Sequence, residues 1–172
     1  LFQYNAVKAL KEKYYKNEKI FIDFSDLKKL GSEEDGFCNS LKDFKIYDYE
    51  PTENIKINFL QKIIVFIMKI PNPFLRLIGL SKYADYITYK FEYFIQPLIN
   101  FFGVYYMIHG YRDMKKAIFK NKIVYGNFES SQYFDEYIDE IRKTIVPKTK
   151  QLKRNKQLYE IINNTESICI TI

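Results

Sequence analysis

The sequence predicts an α/β fold in which short parallel strands alternate with helices around an apolar helical insertion. Three observations carry that prediction. An amphipathic segment of helical period runs, after a two-residue turn, into an apolar strand at 20–24. A second short strand at 122–125 is followed by an acidic amphipathic helix, and the closing segment 167–172 is apolar and β-branched. Helix and strand in tight alternation are the pattern of a parallel sheet with helices packed on it.

The elements follow in chain order. Phe2, Ala6, Leu10 and Tyr14 recur at helical spacing, with Lys8, Lys11, Glu12 and Lys16 elsewhere, which predicts a helix ending near Asn17. Residues 20–24 form a strand with Asp23 near its C-terminal end. Gly31, an acidic run at 33–35, Gly36 and Pro51 punctuate a surface loop with one further strand at 44–47. Asn54 is placed to cap a helix over 55–70, apolar on most sides and ended by Pro71 and Pro73. From Phe74 to Phe119 the pattern is helical and aromatic, broken by Gly79, Pro97, Gly103 and Gly110 into what reads as helix pairs. After the strand at 122–125, Ser130 and Ser131 are placed to cap a helix. Phe134, Tyr137, Ile138, Ile141 and Ile145 fall on its inner face, and its acidic start suits the helix dipole. Pro147 closes this unit, so residues 1–147 read as one domain and 148–172 as a lysine-rich connection leading into the first strand of another.

At 172 residues there is room for one domain with a substantial core and not for two full Rossmann units. The net charge of +6 is uneven, with +7 falling in residues 51–128, the most apolar part of the chain. That combination suits an anionic membrane surface or a phosphate-bearing ligand; no nucleic-acid-binding motif accompanies it. The longest apolar stretch, at 57–70, is interrupted by Gln61, Lys62 and Lys69 and falls short of the roughly 20 residues that span a bilayer. Cys38 and Cys169 are far apart and His109 is the sole histidine, so no zinc site assembles at ordinary ligand spacing. The cysteine usage fits a reducing, cytoplasmic compartment.

These landmarks together resemble the family 11 glycosyltransferases, the α-1,2-fucosyltransferases. Leu1, Phe2, Gln3, Tyr4, Ala9, Leu10, Lys13 and Tyr14 match the segment that in the family follows a glycine-rich G-G-L-G-N-Q turn. Gly126, Phe128, Ser130, Tyr133 and Phe134 match its G-Y-W/F-Q-S-x-K-Y-F landmark, and the helix behind resembles its acidic D-I-E-D-E-I-R helix. The closing segment resembles the strand that runs into R-R-G-D. Glu129 stands where the family has glutamine, Asn127 where it has an aromatic, and Thr171 where it has histidine.

The resemblance implies the acceptor-side, Rossmann-like N-terminal half of a two-domain GT-B glycosyltransferase, incomplete at both termini. The family's two diphosphate-binding loops would lie just before Leu1 and just after Ile172. It implies transfer of fucose from GDP-fucose to a galactoside hydroxyl with inversion and no obligatory metal or cofactor, with a glycan acceptor as partner. By itself such a fragment would be inactive. The alternative reading is a peripheral membrane-associated binding protein whose basic, apolar middle docks on anionic lipid. Both place the protein in the cytoplasm or at the inner face of a membrane.

Candidate site residues follow from position. Gln3 at the first helix's N-terminus would face a cleft where the dipole favours phosphate, or is simply solvated. Asp23 ends a strand, where α/β folds bind ligands or where an acid caps a turn. Glu129 lies between strand and helix as a candidate base or hydroxyl acceptor, or as a capping group. Phe128 and Tyr125 offer rings to a sugar or to the core. His109, in a tyrosine-rich apolar run, reads as a core or surface histidine in preference to a catalytic one.

Overall fold

The computed structural model describes residues 2–25, 39–52, 57–148 and 156–164. It is mixed α/β, with two small parallel sheets. Helix α1 spans Phe2–Tyr14. Strand β1 (Ile20–Asp23) pairs in parallel with β2 (Tyr49–Thr52), Ile20 opposite Tyr49 and Asp23 opposite Thr52. Three helices follow: α2 (Phe59–Lys69), α3 (Pro71–Leu77) and α4 (Ser81–Phe101). Then β3 (Val104–Met107) pairs in parallel with β4 (Ile123–Gly126). Two 3₁₀ turns lead into α5 (Ile138–Thr144), and α6 covers Lys156–Asn164.

Several expectations change. No strand forms at 44–47, where Phe44 makes only an isolated antiparallel bridge to Pro147; a 3₁₀ turn, Ser40–Asp43, capped by the Asn39 side chain, precedes it, and the pairing strand comes later, at β2. Pro51 fits there because, among the described residues, β2 pairs on one side only, with β1, so its missing N–H spoils no second ladder there. Asn54 lies outside the described residues; the helix that follows is capped by Asn58, whose side chain accepts from Leu60 N at 2.9 Å. The helix ends at Lys69, just before Pro71 as expected, and Pro71 also opens α3, since the first helical position needs no N–H donor. Helix α4 runs through Pro97 unbroken. The largest correction is β3, a strand inside the stretch read as helix pairs. Of the two serines, Ser130 caps the first 3₁₀ turn, through Gln132 N, and Ser131 bonds Asp135. Cys38, Cys169 and the closing strand at 167–172 lie outside the described residues.

Strand β3 is buried along its whole length, and its alternating side chains divide the interior in two. Tyr105 and Met107 join Ala6, Ala9 and Leu10 of α1, with Phe128, Tyr133, Phe134 and Ile141. Val104 and Tyr106 face the opposite way, onto Met68 of α2 and Ile99 of α4. Tyr105 also anchors a hydroxyl chain: it lies 2.9 Å from the Tyr15 hydroxyl and donates to the Lys115 carbonyl at 2.7 Å. Burial and the neighbouring Tyr15 hydroxyl push its ionisation far above the ordinary tyrosine range. A third cluster joins Tyr4 of α1 to Leu41 and Ile46 below β1–β2, so α1 contributes to both sheet regions.

Helix α4 has an inverted pattern. Thr88, Glu92, Gln96 and Asn100 recur every four residues, which places them on one face, and that face is buried. Tyr86, Phe94 and Leu98 are exposed on the same helix, and Phe59, Phe66, Phe74 and Leu77 on its neighbours. Among the described residues no helix is long and apolar enough to cross a membrane.

Candidate functional site

Parallel strands bring the chain out at one edge, and the loops leaving β3 and β4 are held together there. Asn127 N donates to the Met107 carbonyl at 3.0 Å, and the Asn127 amide reaches the Ile108 carbonyl at 3.4 Å. Gly126 makes this approach feasible. Its φ is +144°, and a Cβ there would sit 1.9 Å from the Met107 carbonyl oxygen. The carboxyl edge of such strands is where open α/β sheets bind ligands.

The four sequence-predicted residues divide around this edge. Gln3 donates its side-chain amide to the Gly126 carbonyl, which fastens the start of α1 to the end of β4. Phe128 has a left-handed backbone, φ 53°, unusual for a bulky residue. Its ring is turned inward, 1% exposed and edge-on to Tyr133 at 5.0 Å, so the core takes it up. Glu129, the next residue, is exposed at the same edge. Asp23 belongs to the other sheet, where its carboxylate accepts from Ser25 N at 2.8 Å and closes a turn. The structure thus gathers Gln3 and the 126–129 loop and leaves Asp23 with β1.

Beside this edge lies a cavity of about 460 Å³ between α2, α3, α4 and the end of β3. Its size falls within the roughly 300–1,000 Å³ typical of small-molecule pockets. Glu92 forms its inner wall. One carboxylate oxygen, Oε2, accepts from Ile108 N and His109 N, both at 3.1 Å, and so ties α4 to the end of β3. The other, Oε1, has no hydrogen-bond partner and lies 3.6 Å from His109 Nδ1, which has none either. Burial raises Glu92 above the ordinary carboxylate range, against the opposing pull of its two backbone donors and of His109.

The outer wall is charged and already paired. Asp85 accepts from Asn72 at 2.7 Å and from Arg76 at 2.8 Å, and these two bonds hold it below its ordinary pKa. Its Oδ1 lies 3.7 Å from His109 Nε2, so the imidazole sits between two carboxylates. Tyr106 and Tyr125 stack at 5.3 Å with 10° between their rings, and Lys69 Nζ lies 4.1 Å above Tyr125. Thr88 also lines the cavity, with a buried, unpartnered hydroxyl.

Glu92 escaped sequence reasoning because, amid the aromatics Tyr89, Phe91, Tyr93 and Phe94, a lone acid looks like the solvent face of a helix. The four-residue recurrence of Thr88, Glu92, Gln96 and Asn100 was the available signal, but a polar stripe does not announce that it points inward. Among the described residues no group of His, Cys, Asp and Glu side chains is arranged to hold a metal ion. In comparisons with known proteins, no family model, no curated protein and no solved structure matches the chain.

Proposed function

We propose that the chain is the acceptor-side part of an inverting α-1,2-fucosyltransferase of the GT-B kind, moving fucose from GDP-fucose to a galactoside hydroxyl. The observation that carries the reading is the bond between Gln3 and the Gly126 carbonyl. It joins the two segments that bear the family resemblance, separated by 123 positions in the chain, at the carboxyl edge of a parallel strand pair. A helix N-terminus and a strand-end loop meeting at such an edge form the setting in which α/β enzymes hold phosphorylated ligands. Exposed Glu129 is available there to a sugar hydroxyl. The test is product analysis with the natural protein that carries this chain, incubated with GDP-fucose and lactose. Fucose on the 2-hydroxyl of galactose, with a rate lowered about tenfold or more by Gln3→Ala, is expected. No transfer, or transfer to another position, overturns the reading.

A second reading, membrane association, is favoured by the inverted helical layer. The outward faces of α2–α4 are apolar and carry exposed Lys62, Lys82 and Lys90, whereas the one exposed acid on these helices, Asp85, is paired with Arg76. An apolar face flanked by cations suits the surface of an anionic bilayer, and the two readings are compatible. Co-sedimentation with vesicles containing phosphatidylserine, weakened by salt and by Lys82→Glu with Lys90→Glu, is the expected result. Equal recovery with and without vesicles removes this reading.

A further inference from the structure

We propose that the cavity at the end of β3 binds a neutral saccharide, read by His109 Nε2 through one of the ligand's hydroxyls. The charged groups on its walls set the ligand class. Arg76 is paired with Asp85 and Lys69 lies over the Tyr125 ring, so neither cation is open to grip an anion. A phosphate would also meet the carboxyl groups of Asp85 and Glu92, and a bare cation would meet Lys69 and Arg76. A neutral polyhydroxylated ligand meets donors and acceptors in mixture.

His109 narrows the chemistry to hydroxyl. Its Nε2 and Asp85 Oδ1 are 3.7 Å apart, beyond direct hydrogen bonding yet close enough for one oxygen lying beside them to bond both. On its far side Nδ1 faces Glu92 Oε1 at 3.6 Å. With the hydrogen on Nδ1, Nε2 accepts; with the hydrogen on Nε2, it donates. A hydroxyl satisfies either tautomer, which neither an amine cation nor a carboxylate does.

The packing role of Glu92 accounts for only half of its carboxylate. Oε2 is consumed by the Ile108 and His109 N–H groups, while Oε1, the Thr88 hydroxyl and His109 Nδ1 remain without protein partners on side chains that line this one cavity. Buried polar atoms left in this state cost stability, and their gathering at a strand's carboxyl end marks a ligand site. The inference goes beyond the transferase reading, since it concerns binding by these residues whatever the reaction.

The sole imidazole of the chain is its own reporter. The experiment follows its two ¹⁵N resonances in the labelled full chain during titration with methyl β-galactoside, methyl α-glucoside or inorganic phosphate. A saturable shift with at least one of the two glycosides and none with phosphate is expected. Thr88→Val and Glu92→Gln should each weaken binding about tenfold, as the loss of one buried polar contact does. Thr88→Val, nearly isosteric, serves if Glu92→Gln fails to fold. No shift with either glycoside at tens of millimolar overturns the proposal, as does a phosphate-specific shift, which would mark an anion site. Saccharide binding without fucose transfer would leave the inference standing and the transferase reading refuted.

Discussion

The two faces of the β3–β4 pair are built on opposite rules. Toward α1, Tyr105 and Met107 meet Ala6, Ala9, Leu10 and Phe128 in a closed apolar interior. Toward α4, the sheet meets Thr88, Glu92, Gln96 and Asn100 beside Ile99, while Tyr86, Phe94 and Leu98 of that helix are turned outward. The first face does what cores ordinarily do, taking apolar area out of water at about 25 cal/mol per Å². The second gives up part of that gain to keep polar groups inside, where each needs a partner. Stability therefore concentrates on the α1 side and chemistry on the α4 side.

The comparison is open to direct attack. Leu10→Ala should have the largest effect, a loss of about 2–5 kcal/mol in urea unfolding, because Leu10 is buried in the closed interior. A loss below about 1 kcal/mol would show that the α1 face is not the stable one. Next is Gln96→Met. Both polar side-chain atoms of Gln96 are buried and unpartnered, so their removal should raise stability by about 1–3 kcal/mol, and a decrease would show that they are satisfied.

Smaller effects come from pH, with opposite signs for two carboxylates. Glu92 is raised by burial, so its contribution is fully present below the unfolded carboxylate value of about 4.3 and is lost as pH rises through the higher folded value. Burial also works against Asp48, but hydrogen bonds from Lys8 and Tyr4 outweigh it and lower its pKa. Its contribution is present above about 3.9 and is lost as pH falls through the depressed value. Thermal midpoints across this range should lose their alkaline-side decline in Glu92→Gln and part of their acid-side decline in Asp48→Asn. Identical profiles would mean that neither group carries linkage. Smallest of all, Phe94→Ser on the outward face of α4 should alter stability by no more than about 0.5 kcal/mol, since that ring is 76% exposed. A larger loss would mean that this face is covered in the folded chain.

Much of the α1 side was legible in the sequence. Phe2, Ala6, Leu10 and Tyr14 announced α1, and β1 and β4 lie where short apolar runs end at turn residues. Strand β3 was hidden because all four of its residues are buried, so no alternation marks it, and it follows an aromatic helix after only Phe102 and Gly103. Strand β2 was hidden by Pro51, which argues against a strand until the edge position is known. At the site, Gln3 and Glu129 stood out through their neighbours in the chain. Glu92 did not, and His109 read as a core or surface histidine, since 17 positions separate the two and only the return of the chain through β3 brings them together.

The bond from Gln3 to Gly126 has a consequence for biosynthesis. Helix α1 is made well before much of its docking surface, which includes Gly126, Phe128 and Ile141. Until about 120 further residues emerge, at roughly 5–20 residues per second, the apolar stripe of α1 has no permanent cover. The nascent chain must therefore carry α1 exposed to chaperones until β4 and the loop after it are made.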